Sequence, residues 1–257
     1  MHEDETVIVT GASGGIGREI ALHLLEEGAN VALAARSDGI HETAKMADAG
    51  RRALPVETDV TDESAVRNLV EETVEAFGGV DAVVNNAGIA GPTAPVEEIT
   101  ESEWDETMDV NVKGAFLTVK HAGGHLRESE TGSVVNISSI SGKRPLEDRT
   151  PYVASKMALI GLTRTLAFEF GDDDVTVNTI CPGATSGPRI DRVIENQAER
   201  RGISFETAKS EVFTDDAALG ELVEAEDIAA MVSFLLGPGG RRITAQDINV
   251  DGGAAWY

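Results

Sequence analysis

"TVIVTGASGGIG", Thr6–Gly17, is the stretch on which the reading of the fold turns. Thr6–Thr10 is a short run of β-branched residues, the pattern of a strand buried on both faces. Glycines at 11, 14, 15 and 17 follow. The next segment, from about Gly15 to Glu27, has helical spacing. Glycine permits a tight turn and lets a ligand approach the backbone. The helix behind the turn offers unpaired N–H groups and the positive end of its dipole. The stretch therefore predicts strand, turn and helix, with room for a phosphate-like anion at the junction.

The same alternation repeats outward. Strands are expected at 30–35, 53–60, 80–86, 132–138, 174–180 and 247–250. Helices are expected at 62–77, within 101–128, at 151–170 and at 225–236. The strand runs are apolar throughout more than they alternate, which suits a parallel sheet covered on both faces. Right-handed crossovers then predict an α/β fold: a three-layer, doubly wound parallel sheet of Rossmann type, in a single domain over 1–257. Ligands on such sheets bind beyond the carboxyl ends of the strands.

Composition narrows the setting. The chain has 257 residues, 41% of them apolar, enough for one large core. No apolar run reaches about 18 residues, so no membrane span or membrane partner is expected. The start, "MHEDETVIVT", lacks the pattern of an export signal. Cys181 is the only cysteine, which excludes an internal disulfide and makes a cytoplasmic protein the expectation. Asp and Glu total 45 against 21 Lys and Arg, a net charge of −24. That charge opposes binding to nucleic acid. It also predicts a halophilic protein, whose dense carboxylates stay hydrated while salt screens their repulsion. The histidines (His2, His23, His41, His121, His125) contain one helical i+4 pair without a matching carboxylate pattern. No metal site is expected, and the histidines read as surface residues.

Two places carry chemistry. The second strand ends "ALAARSD". Dinucleotide folds place an acid there for a ribose 2′-hydroxyl, or an Arg for a 2′-phosphate. Here Ala35 holds the acid position, and Arg36 and Ser37 follow, so NADP(H) is favoured and NAD(H) remains possible. Asp59, in "ETDV", reads either as an acceptor for the adenine amino group or as a helix cap, with Thr61 competing for the cap. "NNAG", 85–88, offers small residues beside a ribose. The second place is "TPYVASK", 150–156. Tyr152 and Lys156 share a helix face at i and i+4. A phenol with a reference pKa near 10 exchanges protons poorly at neutral pH. A neighbouring cation favours the phenolate and lowers that pKa. Tyr152 therefore reads as a general acid/base and Lys156 as its modulator and as a donor to ribose hydroxyls.

Thr10–Gly17, Asn85–Gly88, Asn111, Ser139, Tyr152, Lys156 and Pro182–Gly183 occur in the order seen in the short-chain dehydrogenase/reductase family, and the chain resembles that family from Thr6 to about Gly253. The likeness extends to its 3-oxoacyl reductases. It implies a nicotinamide cofactor, a small-molecule substrate and a homo-oligomer, tetramer or dimer. It implies a catalytic set of Asn111, Ser139, Tyr152 and Lys156. Family spacing selects Ser139 over Ser138 for polarising the substrate oxygen. Asn111 matches an asparagine that holds a water linking the lysine to solvent, and asparagine is otherwise a poor choice inside a helix. The resemblance places Gly11, Ser13, Gly15, Ile16, Gly17, Arg36, Ser37, Asp59, Val60, Asn86, Ala87, Gly88, Tyr152, Lys156, Pro182, Gly183 and Thr185 against the cofactor. Two departures stand out. Gly187 replaces a threonine that contacts the carboxamide, so Thr185 or Ser186 takes that role. Gly14 stands where NADP users often carry a basic residue.

The segment 185–219 is expected to be helical and to close over the site as a substrate-binding lid, with an apolar stripe of Ile190, Val193 and Ile194. Arg189, Arg192, Arg200, Arg201 and Lys209 concentrate there, and Lys143, Arg144 and Arg149 lie in the loop before Tyr152. They point to an anionic substrate such as a hydroxy or oxo acid, a sugar acid or an acyl thioester. Ion pairing with the interleaved acids is the alternative for these residues. Cys181 reads as packing. For the whole chain the rival is a catalytically silent dinucleotide sensor, which would have lost Tyr152 or Lys156.

Overall fold

The structure is a computed structural model that describes residues 2–215 and 217–256, with the side chains of 188, 189, 196, 197, 200, 212 and 213 outside the description. Arg189 and Arg200 therefore lie outside the described residues as side chains.

In chain order the first half runs β1 (Thr6–Thr10), α1 (Gly15–Glu26), β2 (Asn30–Ala35), α2 (Gly39–Ala47), β3 (Ala53–Glu57), α3 (Glu63–Phe77) and β4 (Ala82–Asn85). The second half runs α4 (Glu101–Met108), α5 (Gly114–Glu128), β5 (Ser133–Ile137), α6 (Thr150–Glu169), β6 (Thr176–Pro182), α7 (Pro188–Arg201), α8 (Phe205–Lys209), α9 (Ala225–Leu236) and β7 (Asp247–Val250). All strands pair in parallel in the order β3-β2-β1-β4-β5-β6-β7. The order reverses between β1 and β4, which opens a crevice at the strands' carboxyl ends.

The core divides between the two faces, as a doubly wound sheet requires. Ile20, Leu24, Ile228 and Val232 of α1 and α9 pack with Val7, Val9, Leu33 and Val84 on one side. Leu69, Leu126, Leu166 and Phe170 of α3, α5 and α6 pack with Ile8, Val83, Val134 and Val177 on the other. Neighbouring strand residues therefore feed opposite layers. A small separate cluster of Ile194, Ala198 and Ala208, with Ile190, Ile203 and Phe205 against it, holds α7 and α8 together.

Several expectations need correction. The 101–128 helix is interrupted by a π-helical turn over Asp109–Lys113, where Gly114 N–H donates to the Asp109 carbonyl. Strand β3 stops at Glu57, so Asp59 and Val60 sit in the turn beyond it. Neither Asp59 nor Thr61 caps α3. Asp62 does, accepting from Ser64 N–H at 2.8 Å. Pro182 ends β6 instead of following it. His2 is fully buried, not a surface residue. Its Nδ1 lies 2.6 Å from Glu5 Oε2 and its Nε2 3.0 Å from Ser233 Oγ, with Glu27 Oε2 at 3.4 Å. These contacts pin the start of the chain to α1 and α9. A buried imidazole needs such partners, because an unpaired polar group there costs on the order of 1–3 kcal/mol.

Candidate active site

The glycine turn is shaped by what surrounds it. Gly11 and Gly15 have φ of 70° and 55°, left-handed values that favour glycine. A Cβ on Gly17 would lie 2.3 Å from both the Gly11 carbonyl oxygen and Asn86 Nδ2. Glycine there lets α1 sit directly on the strand ends. Asn86 Nδ2 donates to the Thr10 carbonyl at 3.0 Å, and Thr10 Oγ1 accepts from Asn86 N–H and Ala87 N–H at 3.0 and 3.1 Å. The ends of β1 and β4 are thereby locked side by side. Gly14 and Gly15 face open space, and Gly14, at the N-cap of α1, makes no side-chain cap bond. The first-turn N–H groups of α1 are thus left uncapped by any side chain and accessible, which fits a pyrophosphate. Ser13 and Ile16 lie in the same turn.

Arg18 was not singled out by sequence reasoning. Its Nη2 donates to the Ser13 carbonyl at 2.5 Å and its Nε to Thr43 Oγ1 at 3.0 Å, while Thr43 Oγ1 donates to the Ala12 carbonyl at 2.8 Å. Together they brace the turn against α2. The partners are 25 residues apart in sequence, so no local pattern marks them.

At the end of β2, Arg36 is well exposed and its Nη1 lies 3.7 Å from Asp59 Oδ2. Asp59 also accepts from Thr61 N–H and Oγ1 at 2.9 and 2.8 Å. The Thr61 N–H, helped by its hydroxyl and by Arg36, holds the Asp59 carboxyl below its usual range despite partial burial. Ser37 is exposed beside Arg36. So Arg36 and Asp59, assigned to the 2′-phosphate and the adenine of one adenosine, are neighbours.

On the other side of the crevice, α6 brings in Tyr152 and Lys156. Lys156 is buried, and its Nζ donates to the Ile137 carbonyl at the end of β5 at 2.9 Å and lies 5.7 Å from the centre of the Tyr152 ring. A Cβ placed on Gly88 would fall 3.2 Å from Asn111 Oδ1 and 3.5 Å from Lys156 Nζ. Gly88, Asn111 and Lys156 therefore surround one point. Asn111 sits in the π-helical turn, a feature frequent at functional sites. Its Oδ1 accepts from Ile89 N–H at 2.7 Å, and its Nδ2 donates to the Ile89 carbonyl and to Ser155 Oγ at 3.0 and 2.9 Å. The side chain thus holds the loop after β4 against α6.

Ser138 and Ser139 separate cleanly. Ser138 Oγ donates to the Lys156 carbonyl at 2.7 Å, a backbone anchor for α6. Ser139 Oγ accepts from Ser141 N–H at 3.0 Å, which leaves its own proton available to a further acceptor. Gly183 lies tight against β7, where a Cβ would meet Asp251 Cα at 2.9 Å. Thr185 Oγ1 donates to the Gly183 carbonyl at 3.1 Å, and Ser186 Oγ to Glu224 at 2.7 Å. Cys181 is buried, and burial pushes its thiol up to about 11, which keeps it protonated.

Four of the basic residues near the site, Lys143, Arg144, Arg149 and Arg201, are engaged by the protein itself. Lys143 Nζ donates to the Asp247 carbonyl and to Asn249 Oδ1, both at 2.7 Å, so it belongs to the β7 edge and not to a substrate. Arg201 pairs with Glu211, and Arg144 Nη1 donates to the Ala254 carbonyl at 3.4 Å. Arg149 Nη2 donates to the Ala90 carbonyl at 2.8 Å.

Comparison with known proteins gives the family. A family model described as enoyl-(acyl carrier protein) reductase matches residues 11–255. The chain is 34% identical over 258 residues to the levodione reductase of Leifsonia aquatica, covering 97% of this chain and 94% of that one. It is 31% identical over 255 residues to D-beta-hydroxybutyrate dehydrogenase of Cupriavidus necator, covering 98% of each. The crystal structure of an actinorhodin polyketide ketoreductase variant with NADPH superposes with a TM-score of 0.92 at 36% identity, over 100% of both chains. The chain belongs to the short-chain dehydrogenase/reductase family of NAD(P)-dependent oxidoreductases.

Proposed function

We propose that the protein interconverts a ketone and a secondary alcohol on an oxo- or hydroxyacyl substrate, a free acid or a thioester, with NADP(H) preferred to NAD(H). The cofactor supplies or accepts the hydride. The observation that carries the reading is the Lys156 ammonium, buried beside the Tyr152 ring and fixed by the Ile137 carbonyl at the strand ends. A buried cation there stabilises a phenolate, so Tyr152 can give a proton to the carbonyl oxygen in reduction and take one back in oxidation. Ser139 polarises that oxygen through its free proton. Asn111 keeps the Gly88 loop and α6 at a fixed separation.

The uncapped start of α1, with Gly11, Ser13, Gly15, Ile16 and Gly17, takes the pyrophosphate. Arg36 and Ser37 take a 2′-phosphate, Asp59 and Val60 border the adenine, and Asn86, Ala87 and Gly88 border a ribose. Pro182, Gly183 and Thr185 flank the nicotinamide. The NADPH bound in the ketoreductase neighbour supports the choice of cofactor. The names of the ketoreductase and hydroxybutyrate relatives support an oxoacyl or hydroxy acid substrate. Engagement of Lys143, Arg144 and Arg201 by the protein narrows what a charged substrate could use. Helices α7 and α8, held together by their own apolar cluster, form the lid over 185–219. The acidic composition supports a salt-adapted cytoplasmic enzyme, and the family supports a homotetramer or homodimer.

The test is NADPH oxidation followed by absorbance with acetoacetate and an acetoacetyl thioester. Tyr152→Phe should lose turnover by at least a hundredfold, the size of a general acid's contribution, while NADPH still binds. Turnover retained in that variant removes the proton assignment.

A further inference from the structure

The carboxyl-end crevice holds a second cation that the reaction chemistry above does not use. The Arg149 guanidinium carbon lies 5.0 Å from the centre of the Tyr152 ring, closer than Lys156 Nζ at 5.7 Å. We propose that Arg149 is a positioning residue for Tyr152, a second positive charge that makes the phenol easier to ionise while tying the Gly88 loop to the start of α6. The inference rests on the proton role proposed for Tyr152.

The backbone presets this placement. Asp148 adopts a left-handed φ of 60°, Arg149 is the N-cap of α6, and Pro151 occupies the first turn. Pro151 fixes its own φ and restricts Thr150 before it, which presets the first turn of α6 directly after Arg149. The side chain is half-buried, and Nη2 donates to the Ala90 carbonyl at 2.8 Å. Ala94 N–H donates to the Asp148 carbonyl at 2.9 Å. The loop after β4 is thus held from two sides, by Asn111 through Ile89 and by Arg149 through Ala90.

Ionisation spreads negative charge from the phenolic oxygen over the ring. A guanidinium over that ring therefore attracts the phenolate more than the neutral phenol. The facing elements contribute neutral groups: Ser139 beyond β5, and Asn111 and Ser155 beside the loop. The charged groups on or beside the entry to α6 are Arg149 and Lys156, Lys143 and Arg144 earlier in the same loop, and Glu147 and Asp148, which are exposed; α4, packed against α6, adds Glu101, Glu103, Asp105 and Glu106 on its own turns. Asp109 in the π-helical turn is paired with Lys113 at 3.5 Å. The two cations lie 5.0 and 5.7 Å from the ring centre, while Glu147 and Asp148 are exposed and hydrated.

The sign follows directly. Loss of Arg149 raises the pKa of Tyr152, so the phenol titrates at higher pH. At 5.0 Å, through partly solvated surroundings, one unit charge moves a titration by about 0.5–1 pH units. The chain has only two tyrosines, Tyr152 and Tyr257. The tyrosinate absorbance of the intact protein minus that of Tyr152→Phe therefore isolates the titration of Tyr152 without any substrate.

The experiment repeats this difference in Arg149→Gln and Arg149→Lys backgrounds, with melting curves to confirm folding. The midpoint should rise by about 0.5–1 units in the glutamine variant and return most of the way in the lysine variant, which keeps the charge. Arg149→Met, which keeps the length and apolar cover, replaces the glutamine variant if that one does not fold. An unmoved midpoint in the neutral variant, or an equal rise in the lysine variant, overturns the proposal and leaves Arg149 a loop clip. Turnover in Tyr152→Phe alone fails or supports the parent reading, so the two outcomes stay separate.

Discussion

Replacing Thr163 with valine tests how α6 is held in place. Asn85 Nδ2 donates to Asn136 Oδ1 at 2.9 Å, Asn136 Nδ2 donates to Thr163 Oγ1 at 2.7 Å, and Thr163 Oγ1 lies 2.6 Å from Thr179 Oγ1. All four residues are buried. The row runs from β4 through β5 to α6 and back to β6. Thr163 lies seven residues beyond Lys156, two turns along the same helix stripe. Valine keeps the shape of threonine and deletes the hydroxyl. Asn136 Nδ2 and the Thr179 hydroxyl then each lose the partner they had, at about 1–3 kcal/mol apiece. The loss should total roughly 2–6 kcal/mol, or a drop in Tm of about 4–24 °C for a chain of this size. Turnover should fall as well, because the stripe that carries Lys156 loses an anchor. The assay is urea unfolding at fixed protein and salt concentration, with Thr179→Val and the double variant alongside. The double variant should cost less than the sum of the singles, since removing both hydroxyls strands only one donor. A loss below about 0.5 kcal/mol for Thr163→Val would refute the reasoning, because it would mean that water replaces the missing partner without cost.

Three further outcomes are expected. Arg36→Asp should move the ratio of kcat/KM for NADPH over NADH toward NADH by at least tenfold, since it removes a bidentate donor and sets a second carboxylate near Asp59; an unmoved ratio fails the 2′-phosphate assignment. Melting temperature should rise steadily from dilute buffer to molar salt, because screening relieves the repulsion of a −24 chain; equal values reject the salt-adapted reading. Burial pushes the Asp247 carboxyl up, but hydrogen bonds from Lys143 and Arg164 outweigh it and hold it below the usual range. A depressed folded pKa contributes stability above the unfolded value near pH 4, and that stability is lost as pH falls through the folded one. Asp247→Asn should therefore be less stable at neutral pH and show a shallower loss between about pH 4 and pH 2 in urea midpoints.

The layered sheet was legible because it needs only local signals. Apolar runs such as "TVIVT" and "NVALAA" mark buried parallel strands, and glycine spacing marks the turn into α1. Tyr152 and Lys156 were legible together because helical spacing alone puts them on one face. What escaped were pairings across long sequence separations. His2 is buried because Ser233 and Glu27 come to it, and nothing near His2 announces them. Lys143 looked like a substrate cation until β7 supplied Asp247 and Asn249 as partners. Arg18 and Thr43 brace the glycine turn from separate helices. The cap of α3 was misread by position, because "TDVTDES" offers five capping residues and only the exit path of β3 selects Asp62.

The π-helical turn at Asp109–Lys113 has a consequence for how the two flanks face outward. Such a turn is an ordinary helix carrying one residue in excess, so it offsets the angular phase of everything after it by roughly 100°. Trp104 before it and Phe116 after it, both partly solvent-accessible, cannot be placed on a common helical wheel. Deleting a single residue within the turn would restore an unbroken spiral, swing α5 by more than a quarter revolution relative to α4, and turn the Leu117 and Ala122 side of α5 out of the interior. Chain length between Glu101 and Glu128 is therefore under tighter constraint than most of the side chains it carries.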